Sequence, residues 1–229
     1  MQPMGTIYLV RHGQASFGAA DYDQLSELGT RQCHALGEYF AERGVAFEAV
    51  LRGTLRRHAQ SLEALGQGYA RRPGVLPAAL EGPGLNEYDS DALIRAIHPG
   101  PLAAPSTPEV YRAHFRLLRQ ALAAWMAGTS APVGMPAYAD WLAGITGALD
   151  HVRRSHTGNV LLVSSGGPIS TAVGHVLGTS AETTIELNLR MRNSSLTELA
   201  FTPKRHMLVA YNHLPHLDTP ERRPWETYA

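Results

Sequence analysis

At positions 11–13 an arginine, a histidine and a glycine follow one another, with no spacer, after an apolar run of Ile7, Tyr8, Leu9 and Val10. Arg11 is a fixed cation, and His12 can take or release a proton near neutral pH. An unbroken β-branched and aromatic run is the pattern of a strand buried on both faces, inside a parallel or mixed sheet. In open α/β sheets ligands bind just beyond the carboxyl ends of the strands, so Arg11 and His12 stand where chemistry is done. Gly13 permits a sharp turn or the close approach of a ligand. A lone histidine after a strand is more often a turn or core residue bonded to a nearby carbonyl. The chemical reading therefore depends on partners supplied elsewhere in the chain.

Three other stretches offer them. Arg57 falls in the first turn of an expected helix, about 200° around from Leu55 at ~100° per residue. That places it off the apolar stripe of Leu55, Ala59, Leu62 and Leu65. A helix N-terminus with an arginine beside it suits a phosphate, although a solvated surface arginine is the commoner outcome. Leu85-Asn86-Glu87-Tyr88-Asp89 sets carboxylates beside apolar residues. Ser164-Ser165-Gly166-Gly167-Pro168 follows a second fully apolar run at 160–163 and leads into a helix. This repeats the strand, turn and helix order of the first site, but paired glycines on their own are more often just a tight turn.

The elements that must position these groups follow from periodicity and punctuation. Leu25, Leu28, Leu36 and Phe40 recur at helical spacing, with Ser26 as N-cap and Gly44 as stop. A short strand at 48–51 precedes the helix that carries Arg57. Residues 71–108 read as a loop-rich insertion, with Gly and Pro scattered through it. Two helices come next, one opening at Thr107 and burying Leu118, Leu122 and Trp125, the other carrying Trp141, Ile145, Leu149 and Val152. Their aromatic stripes read as core packing. A helix with Ile169, Ala172, Val173, Val176 and Leu177 then ends at Gly178. Strands at 196–201 and 207–211 are joined by a turn at Thr202-Pro203.

Composition bounds the rest. A chain of 229 residues, 44% hydrophobic and 17% charged, suits one large α/β domain or two small ones and can bury a substantial core. Twenty basic residues balance twenty acidic ones, so nothing in the net charge favours nucleic acid or an anionic membrane surface. Any anion site must be a local cluster. The single cysteine, Cys33, excludes an internal disulfide and suits a reducing compartment. The first residues lack a signal-peptide pattern, and no apolar run approaches the ~18 residues of a membrane span. The expectation is a soluble, cytoplasmic protein.

Leu9-Val10-Arg11-His12-Gly13-Gln14 resembles the signature of the histidine phosphatase superfamily, the phosphoglycerate-mutase-like proteins. The resemblance extends through Leu25-Ser26-Glu27-Leu28-Gly29 and Leu55-Arg56-Arg57-His58-Ala59-Gln60-Ser61. It continues in Leu85-Asn86-Glu87 and in the turn after Val163. It implies a three-layer α/β sandwich whose central, mostly parallel mixed sheet is flanked by helices. Residues 1–229 would form a single domain, with 88–155 as a cap-like insertion that sets the substrate. Three positions depart from the family pattern. Ser165 stands where the family usually has a second histidine contacting the transferring phosphoryl group. Gly53-Thr54 replaces a Ser-Pro, and Gly18 replaces an asparagine.

What the resemblance implies is a metal-independent phosphomonoester hydrolase with no cofactor, acting through a phosphohistidine on His12. Arg11 and Arg57 would hold the phosphoryl oxygens, and Glu87 would serve as acid and base. Gln14, Ser16, Ser165 and Gly166 are further phosphate-binding candidates. On that reading Ser165→His would raise turnover. The substrate would be a phosphorylated small molecule or a phosphoprotein, with no role for nucleic acid or membrane. The oligomeric state is open, a homodimer included. One rival is a phospho-ligand-binding protein of the same fold without useful catalysis. A second, ranked lower, is a phosphoglycerate mutase, since the loop after Gly13 lacks the longer stretch those enzymes carry. A metal site from His206, His213 and His216 is a third, against which exposed tail histidines are the simpler reading.

Overall fold

The computed structural model describes residues 4–16, 23–70, 75–98, 100 and 107–228. The expectation for Gly18, and parts of the 71–108 segment, lie outside them. Six strands form one mixed sheet in the order β3-β2-β4-β1-β5-β6. They are β1 (Gly5–Arg11), β2 (Ala49–Arg52), β3 (Ala79–Glu81), β4 (Asn159–Ser164), β5 (Leu196–Thr202) and β6 (Arg205–His213). The first four run parallel, and β5 and β6 are antiparallel additions beside β1. The helices are α1 (Glu27–Glu42), α2 (Arg56–Tyr69), α3 (Ser90–Ile97), α4 (Pro108–Met126), α5 (Tyr138–Ser155), α6 (Gly166–Leu177) and α7 (Ala181–Leu189).

The alternation of side chains along each strand divides the core into two layers. Val10, Val50, Leu161 and Val163 pack with Leu36, Phe40 and Leu65 of α1 and α2. Ile7, Leu9, Val160 and Leu162 pack on the other face with Leu122 and Trp125 of α4, Ile145 and Leu149 of α5, and Ile169 of α6. The result is an α/β sandwich with a mixed, mostly parallel sheet between two helical layers. Among the described residues no helix is long and apolar enough to cross a membrane.

Local signals act as expected at several ends. Ser26 accepts the Gly29 N–H to cap α1, Thr107 accepts that of Val110 to cap α4, and Gly178 ends α6 in the left-handed region at φ 66°. Differences arise where packing overrides pattern. The 71–108 segment contains β3, a 3₁₀ turn at Pro83–Leu85 and α3 as well as loop. Helix α7 has only Thr184 and Ile185 fully buried, too narrow a stripe to read from sequence. Helix α2 buries Arg57, His58, Ser61, Ala64 and Leu65, while Ala59 and Leu62 are only half-buried. Its inward face is therefore polar at the start and apolar beyond.

Helices α1 and α2 approach so closely that backbone meets backbone. A Cβ on Gly37 would fall 2.0 Å from the Leu65 carbonyl oxygen, and one on Gly68 would fall 2.0 Å from that of His34. Neither neighbour is a flexible side chain that could swing away. Gly37→Ala should therefore force the helices apart and destabilise the fold by about 1–3 kcal/mol. At about 2–4 °C per kcal/mol for a domain of this size, thermal melting detects that loss. Gly147→Ala on the exposed side of α5, where a Cβ meets nothing within 4 Å, is the control and should be neutral or stabilising. Equal melting temperatures for the two variants would show that the close helix contact imposes no constraint.

Candidate active site

All four parallel strands end at the same edge of the sheet, and each delivers a polar group there. Pairing sets Arg11 of β1 opposite Ser164 of β4, and Arg52 of β2 opposite Val163. The turn after β1 thus begins level with those after β2 and β4, and Glu87 arrives from the segment after β3.

His12 is only 3% exposed. Its N–H donates to the Ser164 carbonyl (2.9 Å), and its own carbonyl accepts from Ser194 N–H (3.0 Å). Ser194 adopts φ 56°, and its hydroxyl lies 2.9 Å from Nε2 of buried His216. The His12 ring is fixed through Nδ1, 2.7 Å from the Gly13 carbonyl oxygen. A carbonyl can only accept, so in this bond Nδ1 carries the proton and Nε2 keeps its lone pair. Burial lowers the His12 pKa well below the usual imidazole value, and Arg11, Arg57 and His58 push the same way. The ring is accordingly a neutral base at ordinary pH. Gly13 is needed for packing, because a Cβ there would lie 2.3 Å from the Gly29 carbonyl oxygen of α1.

Both arginines are buried. Arg11 donates through Nη1 to the Met191 carbonyl, and its guanidinium lies against Gly166 at the start of α6. Arg57 is neither solvated nor turned away from the core. Its Nη1 donates to Asp23 Oδ1 at 2.8 Å. Asp23 also accepts the backbone N–H groups of Arg56 (2.8 Å) and Arg57 (3.4 Å). The N-cap position of α2 is Leu55, which has no side-chain acceptor, so a carboxylate from another loop does the capping and holds the arginine as well. Sequence reasoning missed Asp23, which lies 34 positions away from Arg57.

Glu87 is half-buried, with Oε2 3.1 Å from the Gly167 N–H in the first turn of α6. Burial raises its pKa, opposed by that hydrogen bond and by Arg57 and Arg11, with the net shift upward. Gly167 leaves the room this needs, since a Cβ there would sit 2.1 Å from Glu87 Oε1. His12, Arg11, Arg57 and Glu87 thus meet at one edge of the sheet, joined by a residue that sequence reasoning passed over. His58 is fully buried, its ring centroid 5.9 Å from that of His12 and its Nε2 2.7 Å from Ser165 Oγ.

The remaining candidates have other contacts. Gln14 N–H donates to Gln32 Oε1 (2.9 Å), and Gln14 Oε1 accepts from Ser26 Oγ (3.0 Å). Gln32 in turn donates to the Trp225 carbonyl (2.6 Å) and the Thr227 hydroxyl (2.9 Å). Ser16 donates its N–H to the Gln24 carbonyl. The three late histidines do not form one site: His206 contacts the Leu149 carbonyl, His213 pairs with Glu198 and His216 with Ser194. His216 is buried rather than part of an exposed tail. Among the described residues no group of three or more His, Cys, Asp or Glu is arranged to hold a metal ion.

Comparison with known proteins agrees with this architecture. A family profile described as histidine phosphatase superfamily (branch 1) matches residues 7–214. Among solved structures the chain is similar to mycobacterial hydrolase 2, with TM-score 0.67 and 21% identity over 98% of this chain and 97% of that one. It is also similar to mycobacterial glucosyl-3-phosphoglycerate phosphatase, with TM-score 0.62 and 23% identity over 91% and 98% of the two chains. For a phosphoglycerate mutase from Bacillus anthracis the values are 0.61 and 16%, over 94% and 96%. A search of curated protein sequences found no match. With nearly all of its length matched and its strand ends converging on Arg11 and His12, the chain belongs to the histidine phosphatase superfamily.

Proposed function

We propose that this protein hydrolyses phosphomonoesters, without a metal ion, through a phosphohistidine at Nε2 of His12. The observation that carries the reading is the Nδ1 contact with the Gly13 carbonyl, which leaves Nε2 as the ring's nucleophilic atom. Nε2 attacks phosphorus as the ester P–O bond breaks. Glu87, its pKa raised by burial, is the acid that gives a proton to the departing oxygen. In the second half a water passes a proton to Glu87, its oxygen bonds to phosphorus, and the P–N bond breaks to regenerate His12. Arg11 and Arg57 supply fixed positive charge along the equatorial oxygens, and Asp23 orients Arg57. Gly166 and Ser165 lie where the α6 N-terminus favours an anion.

Residues 88–155 would face the leaving group. Support comes from Tyr88, whose ring borders Gly167 and meets Trp125 and Trp141 edge-on, with centroids 6.3 and 6.0 Å away. The substrate class is thus a phosphorylated small molecule or phosphoprotein whose organic part contacts an aromatic wall. One of the compared structures is itself named a phosphatase of a glycosylated phosphoglycerate.

Purified protein should release phosphate from an aryl phosphate in the presence of a chelator, and His12→Ala should reduce this to background. Activity that survives His12→Ala, or that a chelator removes, rules the mechanism out. Binding of phosphate with no turnover on a broad panel of esters would favour the binding-protein reading.

Glu87 generates a separate expectation. Glu87→Gln should cost about 10²–10⁴ in kcat/KM on an alkyl phosphate, whose leaving alkoxide needs a proton. On a nitrophenyl phosphate, whose leaving group departs as a stable anion, the loss should be much smaller. The active form needs His12 neutral and Glu87 protonated. With the His12 pKa lowered and that of Glu87 raised, kcat/KM on the alkyl substrate should fall as pH rises through the Glu87 pKa, above 4.5. An equal loss on both substrates, or an alkaline limb that persists in Glu87→Gln, would remove Glu87 from the role of acid.

A further inference from the structure

The Gly13 carbonyl that holds the His12 ring belongs to the same peptide unit as the Gln14 N–H. A peptide unit is planar and trans, so its carbonyl and its N–H point in opposite directions, and whatever fixes one aims the other. The carbonyl faces Nδ1 of His12 at 2.7 Å, and the N–H donates to Gln32 Oε1 at 2.9 Å. Gln32 stands in α1 with no exposed surface. Its amide can present oxygen or nitrogen to either side, and only the oxygen can serve the Gln14 N–H. The far side decides which is presented. There Nε2 donates to the Trp225 carbonyl at 2.6 Å and to the Thr227 hydroxyl at 2.9 Å. A carbonyl can only accept, so the Trp225 oxygen turns the amide nitrogen toward the segment after β6 and the amide oxygen toward Gln14. Thr227 is held in turn, its carbonyl and hydroxyl accepting the backbone and side-chain N–H groups of Asn193 (3.0 and 2.9 Å). Trp225 and Thr227 lie beyond the stretch 7–214 that the family profile matches.

We propose that Gln32 is a positioning residue for His12, set by Trp225 and Thr227, so that the segment after β6 fixes which ring nitrogen of His12 is free. This rests on the phosphoryl-transfer reading above, in which Nε2 is the attacking atom. The hydrogen bonds run in one direction. Gln32 gives its amide protons to Trp225 and Thr227, and its oxygen takes the Gln14 N–H. The rigid peptide then aims the Gly13 carbonyl, which keeps the ring proton on Nδ1. No group among them changes protonation. Without Gln32 as acceptor the Gln14 N–H loses its partner, and the peptide turns to find another. The ring then loses its own acceptor, and its proton can sit on Nε2, where it blocks attack. Arg11 and Arg57 are held by other partners, the Met191 carbonyl and Asp23, so the charge that would bind a phosphoryl group stays in place. The cost therefore falls on turnover and spares affinity.

The experiment compares wild type with Gln32→Met, which keeps the length of the side chain but neither hydrogen bond, and with Thr227→Val and Thr227→Ser. Each is checked for folding by thermal melting. ¹⁵N NMR at neutral pH, with the His12 ring signals assigned by their loss in His12→Ala, reads the tautomer with no need of activity. The kcat and KM values on an aryl phosphate read the consequence. Wild type should carry the ring proton on Nδ1. Gln32→Met should shift the ring toward the Nε2–H form and lower kcat by about 10–10² with a smaller change in KM. Thr227→Val should move tautomer and kcat the same way by less, because the Trp225 carbonyl remains, and Thr227→Ser should restore most of the loss. A folded Gln32→Met with the proton still on Nδ1, a loss seen in KM alone, or a Thr227→Val protein indistinguishable from wild type would each overturn the inference. If wild type releases no phosphate, the tautomer decides by itself. A shift in Gln32→Met and Thr227→Val then sustains the positioning while sinking the hydrolase reading, and no shift sinks both. A wild-type ring protonated on Nε2 would also overturn the two together.

Discussion

The parallel pairing of β1 with β4 is the constraint on which the site depends. Six consecutive residues of each strand face one another, from Thr6 opposite Asn159 to Arg11 opposite Ser164. Because side chains alternate with period two, a slip of one residue would send Val10 and Val163 into the wrong layer of the core. The hydrophobic packing of both faces therefore fixes how far each strand extends before its turn begins. That length decides whether the loop bearing His12 stands level with the helix that starts at Gly166. The register is continued by β2, again parallel to β4, so the α2 N-terminus arrives at the same height.

Cationic and neutral groups share this edge through a consistent electrostatic logic. Two buried guanidinium groups would be costly alone, and here each has fixed oxygen partners, the Met191 carbonyl for Arg11 and the Asp23 carboxylate for Arg57. Their charge and the surrounding burial keep His12 neutral, and burial alone pushes the Glu87 carboxyl the other way. His58 is driven down to about 3 by burial, with Arg57 and Arg52 adding to it. The imidazoles are thereby held as neutral hydrogen-bonding groups rather than as further cations. Perturbations in opposite directions on neighbouring acid and base groups are the mark of a site in which proton positions matter.

Much of this was legible in the sequence, and the reasons are particular. Burial on both faces makes β1 and β4 unbroken apolar runs, so the abrupt change to Arg11 and His12, or to Ser164 and Ser165, stands out. Ser26 and Thr107 announce their helices because capping is a local transaction between neighbouring residues. What escaped notice was non-local. The buried face of α2 begins with Arg57, His58 and Ser61, and a search for apolar periodicity passes over a stripe whose first turn is polar. Asp23 caps that helix from another loop, which no window along the chain can reveal. Helix α7 and strand β3 were missed for opposite reasons, the first because its buried stripe is narrow, the second because it is three residues long.

Gln32 ties the start of the chain to residues made much later. Its amide oxygen holds the backbone just after His12 and Gly13, while its nitrogen is bound by Trp225 and Thr227, the first of them 193 positions further along. Thr227 also accepts the N–H of Asn193, next to the Ser194 that binds the His12 carbonyl. A ribosome thus releases β1 and α1 long before the groups that lock the loop between them exist. The sheet can begin to form from its parallel strands, but the backbone just after His12 gains its last restraints only once the chain has passed Thr227. Contacts of such long range are slow to close, and the loop's final geometry is a late event in the assembly of the fold.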